Sequence, residues 1–287
     1  MPATGLVAAA VAAALALSLV VVAIPDPAGD APLSATVVIA GADIDFPHPG
    51  QYLRAGRIVA APTELVQVPP FAIMVHQVSR EEYGRCVMAG ACAPAQAAAG
   101  PADAPATGVS FLDAASYATW YSRRKGETWR LPTALEAAAA AAERFVGDGE
   151  IVADDLANPS ARWLAAYRAG AGAGRAPDPR PKPRGHYGAN SLGVEDFGGN
   201  VWEWTTSCYV RATVDADGAP VQAIENCGVR VIEGRHRAYM TEFVRDPRGG
   251  GCAVGTPPDN LGFRLVREAP GSPAVAWLRR RLAWLAA

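Results

Sequence analysis

The chain has 287 residues, enough for one large domain or two small ones with a substantial buried core. Its formal net charge is -2 and no basic stripe exceeds a few residues, which argues against nucleic acid as a partner. Twenty-nine Gly and 24 Pro without an internal repeat favour irregular backbone over long helices.

The first element is an uncharged run over residues 6–24, "LVAAAVAAALALSLVVVAI". Its length suits either a secretory signal core or a single membrane-spanning helix. Residues 1–27 are therefore expected to be a signal peptide or a membrane anchor. Either one places the rest outside the cytoplasm, in the periplasm or an equivalent exported compartment. No Cys follows the run closely, so a lipoprotein anchor gains no support. A Pro-rich linker over 28–39 leads into residues 36–44, which are apolar and alternating enough for a strand. "PGQYLRAGR" reads as turn, short strand, turn, and "LVQVPPFAIMVHQVS" as a strand broken by Pro69 and Pro70.

Three helix starts follow, each with a hydroxyl residue and an acid three positions on. Ser79 and Glu82 open "SREEYGRCVMAG", Ser110 and Asp113 open "SFLDAASYATWYSRRKG", and Thr133 and Glu136 open "TALEAAAAAAERF". "GAGAGRAPDPRPKPRG", at 170–185, is expected to be a surface loop. Short strands are expected at 201–206, 229–233 and 262–267, and a C-terminal amphipathic helix within 269–287. Few helices followed by short strands and long loops argue for one α+β domain.

Five cysteines suit an exported chain. Cys86 and Cys92 enclose "VMAGA", whose Gly allows the sulfurs to meet. Cys208 and Cys227 are the next expected pair, with Cys252 left over or competing. No CxxC or Cys/His spacing indicates zinc.

The ordered segments "GVSFLDAASYATWYSRRKGETWRLPT", "GANSLGVEDFGGNVWEWTTSCY" and "PPDNLGFRLVR" resemble the formylglycine-generating enzyme (sulfatase-modifying factor) domain family. The chain is similar to a divergent member of that family without its copper-binding cysteine pair. The resemblance covers roughly residues 40–268. It implies a single domain with a C-type-lectin-like fold and little regular structure. In "RLPT", Arg130 is expected to anchor an ion pair and Thr133 to cap a helix. In "NLGFR", Phe263 is expected in the core and Arg264 on a buried carboxylate.

"GGNVWEW" carries more chemistry. On a strand, Val201 and Glu203 share one face while Trp202 and Trp204 share the other, the core. A carboxylate among tryptophans must be paired, hydrogen-bonded or metal-bound. The resemblance implies structural calcium here, held by Asn200, the backbone at Val201, and Glu203. The alternative is Glu203 paired with an arginine inside the core.

The family's oxidases hold copper with two cysteines about five residues apart, and soft thiolates suit Cu(I). The corresponding positions in this chain fall near Tyr239 and Val244, neither of them Cys. Copper chemistry is therefore not expected. Another branch uses an iron-binding histidine helix, but His48, His76, His186 and His236 show no such spacing. What occupies the usual active-site segment is polar: Arg235, His236, Arg237, Tyr239, Glu242, Arg245, Asp246 and Arg248. Arg235, His236, Tyr239 and Glu242 are the candidate catalytic residues, with Arg forks suited to anions and Tyr239 and His236 to proton transfer. A solvated charged surface is the alternative.

The resemblance implies three functional readings. The first is an exported accessory or maturation factor for a periplasmic protein or peptide client, for example beside a redox enzyme such as copper nitrite reductase. The second is an oxidoreductase that modifies a secreted peptide. The third is a lectin-like binding module.

Overall fold

The computed structural model describes residues 34–97, 99–148, 180–247 and 260–268. The apolar segment 6–24, the tail 269–287 and Cys252 lie outside the described residues. Among the described residues, no helix is long and apolar enough to cross a membrane.

Two prolines decide the layout of the first half. Strands β1 (Thr36–Ile39), β2 (Ala42–Pro47), β3 (Gln51–Arg54), β4 (Arg57–Val59), β5 (Thr63–Val68) and β6 (Phe71–Met74) follow in order. Pro69 and Pro70 cannot donate to a ladder, so the chain changes sheet between β5 and β6. Among the described residues, β5 pairs only with β2, while β6 pairs with β1 and β12. A two-residue turn, with Ala55 at φ 48° and Gly56 at φ 77°, joins β3 and β4.

All three helix starts carry reciprocal caps. In α1 (Arg80–Met88), α2 (Phe111–Lys125) and α3 (Ala134–Ala141), the cap hydroxyl accepts from the backbone N–H three residues on, and that residue's carboxylate accepts in return. α2 ends at Gly126, whose φ of 65° is the left-handed conformation that closes a helix. The two-residue β7 (Trp129–Arg130) lies between α2 and α3.

The second half is dominated by one ribbon. β8 (Trp202–Val214) and β9 (Pro220–Glu233) pair over most of their length, far beyond the short strands expected at 201–206 and 229–233. The signal at 206–228 is weak because the outer half of β9 is exposed and mixed in polarity, and β8 beyond Cys208 buries only Ala212 and Val214, in a small cluster with Tyr52. β10 (Ala238–Thr241) adds to β9, and β11 (Leu261–Gly262) runs parallel beside the base of β8. β12 (Val266–Arg267) fits between β6 and β7, giving a sheet ordered β1-β6-β12-β7.

The main core gathers the faces of α1 and α2 with Trp129, Trp202, Trp204, Met240 and Phe263. A second cluster lies between α3 and the β1-β6-β12 sheet. The expected α+β architecture is the one observed.

Candidate functional site

The "GGNVWEW" segment opens β8, and its alternation places both tryptophans in the core. Trp204 Nε1 donates to Val109 O at 3.0 Å and Trp202 Nε1 donates to His236 O at 3.0 Å. Glu203, on the other face, is 2% exposed. Arg264 grips it bidentately, Nε on Oε2 at 2.6 Å and Nη2 on Oε1 at 2.7 Å. Gln77 Nε2 adds a third bond to Oε1 at 2.8 Å. Arg264 is itself fully buried and also donates to Val75 O at 2.8 Å and Glu195 O at 3.0 Å. Asn200 closes a two-bond ring on Lys182, accepting from its N–H at 2.9 Å and donating to its carbonyl at 2.8 Å.

As a donor set, Asn200, Val201 and Glu203 do not fit calcium, because a guanidinium occupies the carboxylate and the loop backbone at Lys182 occupies the carboxamide. Among the described residues, His76, Glu195 and Asp196 also bring ligand-type atoms within 4.8 Å of one another. Both Asp196 oxygens accept backbone N–H groups there, from Gly185 and Tyr187 at 2.7 Å each. Burial pushes the His76 imidazole down from its usual range, partly offset by Glu195, and Arg184 and Arg264 push it further down.

The structural residues behave as fold staples. Arg130 holds Glu136 through Nη1 and Nη2, at 2.7 Å each, and reaches Glu268 through Nε at 2.8 Å. One arginine thereby ties the α3 cap, built on Thr133, to the residue after β12. Both expected cysteine pairs are disulfides, Cys86–Cys92 and Cys208–Cys227.

The four candidate catalytic residues are not brought into one pocket. Arg235 is exposed at the β9–β10 turn. His236 packs edge-on against Trp202, with Nδ1 2.7 Å from Arg237 O. Tyr239 is buried; its hydroxyl accepts from Gly50 N and donates to Asp148 Oδ1, both at 2.6 Å. Burial, with Asp148 beside it, holds that phenol well above the usual tyrosine range. Glu242 faces Arg230, 3.4 Å away. Of the four, only Tyr239 lies within β10, where it faces the cluster of Phe46 and Val231; Arg235 and His236 precede the strand and Glu242 follows it.

Tyr239 belongs to a buried polar network that composition alone does not mark. Arg237 Nε donates to Glu233 Oε1 at 2.8 Å, Nη1 donates to Pro47 O at 2.5 Å, and Asp148 Oδ2 lies 3.5 Å from Nη1. Burial pushes the Glu233 carboxyl up to about 7, against the opposing pull of Arg237.

An open cavity of about 370 Å³ lies elsewhere, where α1, the 96–108 loop, residues 180–183, residues 245–247 and the Asn260–Leu261 corner converge. Its rim carries Arg80, Arg180, Lys182 and Arg245 against the single carboxylate of Asp246. Two of the eight polar residues of the 235–248 segment, Arg245 and Asp246, thus line it. Each wall is fastened by a motif already described. Asn200 pins Lys182. Asp113, the acid of the α2 capping box, holds Arg245 through Nε and Nη2 at 2.8 Å each. Ala104 O and Ala102 O accept the N–H groups of Arg80 and Glu81, at 2.9 Å each. Gly108, at φ 70°, lets the loop close on itself, since a Cβ there would lie 2.4 Å from Gln96 C.

The chain belongs to the family of the sulfatase-modifying factor enzyme 1-like domain, which it matches over residues 23–269. Over 109 residues it is 33% identical to the hercynine oxygenase of Mycobacterium tuberculosis, covering 37% of this chain and 23% of that protein. The chain therefore spans about a quarter of that relative's length. PvdO from Pseudomonas aeruginosa has the same fold, with a TM-score of 0.52 at 21% identity, over 82% of this chain and 94% of that one. Treponema denticola variable protein 1 aligns with a TM-score of 0.48 at 14% identity, over 82% of this chain and 95% of that one.

Proposed function

We propose that this protein is an exported accessory or maturation factor that binds a protein or peptide client in the 370 Å³ cleft. The observation that carries the reading is the cleft itself, an open pocket with a cationic rim, fastened by the family's own motifs. Four of the five cysteines are committed to disulfides, leaving Cys252 as the remaining cysteine. A two-thiolate copper site is therefore not part of the proposal. Two disulfides suit an oxidising compartment, with residues 6–24 serving as signal or anchor. The client is expected to present a carboxylate-bearing extended segment, since Arg80, Arg180, Lys182 and Arg245 outnumber Asp246 and the Asp113 that holds Arg245.

The test is a pulldown from periplasmic extract with the exported chain as bait. The expected result is one enriched client whose recovery falls about tenfold with Arg80→Glu, a loss of roughly 1.4 kcal/mol. A pulldown with no enriched client, or one insensitive to charge reversal on the rim, overturns the reading.

A second reading, an oxidoreductase acting on a secreted peptide, is favoured by the similarity to a named oxygenase. A captured client whose mass is unchanged after aerobic incubation with the protein counts against it.

A further inference from the structure

The disulfide across the long ribbon is polarised, and its two sulfurs differ in access. Cys227 lies on the exposed part of β9, whereas Cys208 is buried on β8 at 9% exposure. The pairing register shifts on both sides of Cys208, so the backbone there is bulged. Arg230 Nη1 stands 3.3 Å from Cys208 Sγ. That guanidinium is held in place by Thr206 O at 2.9 Å, by the Phe111 ring 4.1 Å beneath it and by Glu242 at 3.4 Å. On the exposed side, Glu225 places a carboxylate oxygen within 4.8 Å of both sulfurs.

Thiol–disulfide exchange is fastest when the attacked sulfur is accessible and the departing sulfur is stabilised as a thiolate. We propose that Cys208–Cys227 is a thiol-exchange site, attacked at Cys227, with Cys208 as the leaving group beside Arg230. An incoming thiolate forms a bond to Cys227 Sγ, and the S–S bond breaks with its electron pair on Cys208. If the attacking molecule carries a second thiol, that thiolate attacks the mixed disulfide and releases Cys227, which takes a proton from water. The dithiol loses two electrons and becomes a disulfide; the protein gains them as the Cys208 thiolate beside Arg230 and the Cys227 thiol. Glu225 selects among attackers, because its charge opposes an anionic thiol and favours a cationic one. The other disulfide lacks this asymmetry of access, since Cys86 and Cys92 are both buried.

The test uses the full chain carrying Cys252→Ser, which prevents reshuffling. It is treated with glutathione or cysteamine, quenched by alkylation and mapped by mass spectrometry. The expected result is opening of Cys208–Cys227 at least about tenfold faster than Cys86–Cys92, with the added thiol on Cys227. Arg230→Gln is expected to slow that opening about tenfold while Cys86–Cys92 opens at its original rate, which reports an intact fold. Glu225→Gln is expected to speed glutathione and not cysteamine. Equal opening of the two disulfides, or the added thiol on Cys208, overturns the proposal whether or not the Arg230 variant folds. So does an Arg230→Gln variant that folds and opens at the parent rate.

Discussion

At the scale of single residues, Arg264 has the largest structural consequence. It satisfies Glu203 and three backbone carbonyls from a site with no solvent exposure. Breaking a buried pair by removing one partner leaves an uncompensated charge, which costs about 3–5 kcal/mol. Urea unfolding of Arg264→Ala is expected to show a loss of that size. Arg264→Lys is expected to recover only part of it, because an ammonium cannot reproduce the bidentate fork. Replacing both partners, Glu203→Leu with Arg264→Met, is expected to be milder than Arg264→Ala alone. A double variant as unstable as the single one would mean that the backbone contacts, not the pair, dominate. A carboxylate between tryptophans signalled that a partner was needed; which partner depended on folding, because Gln77 and Arg264 come from distant parts of the chain.

At the scale of elements, the caps were the most legible feature, because a capping box is local chemistry written in four residues. All three formed where hydroxyl and acid were spaced three apart. The ribbon and the cleft were far less legible. The outer half of β9 is exposed on both faces and gives no burial pattern, the outer half of β8 keeps only a short alternation at Ala212 and Val214, and the cleft is assembled from five separated segments. The downstream polar segment pointed near the cleft yet over-weighted Tyr239 and His236, since position in a count cannot say which face of β10 a side chain takes. The α2 cap also offers a test that separates stability from binding. Ser110→Ala removes both bonds of the cap hydroxyl, one accepted from Asp113 N–H and one donated to Asp113 Oδ2, and is expected to cost about 1 kcal/mol with client capture unchanged, since Asp113 still holds Arg245. Asp113→Ala loses the cap and also frees Arg245 from its ion pair, so it is expected to alter client capture as well. Equal effects on capture would uncouple the α2 cap from the cleft wall.

At the scale of the whole molecule, the buried Glu233–Arg237–Asp148–Tyr239 network sets a pH dependence. The Glu233 carboxyl is raised from 4.5 to about 7 in the fold. A raised acid binds its proton more tightly when folded, so its stabilising contribution is complete below pH 4.5 and is lost as pH rises through about 7. The rise from 4.5 to about 7 corresponds to a change on the order of 3 kcal/mol. His76, lowered in the fold, works in the opposite direction as pH rises through the ordinary histidine range. The difference between parent and Glu233→Gln isolates the network. The parent is expected to lose stability relative to the variant between pH 5 and 7, read by thermal unfolding, and parallel profiles would refute this. The sheet that joins the two ends of the domain has a mechanical meaning too. β1 and β12 both run antiparallel to β6, one on each side, so the chain enters at the Met74 end of β6 and leaves toward its Phe71 end. Ladder hydrogen bonds lie across the strands, so a pull on the two ends loads each ladder in shear, its bonds together and not one after another. A domain tethered at one end and tugged by its cargo at the other would resist as a clamp instead of opening as a zip.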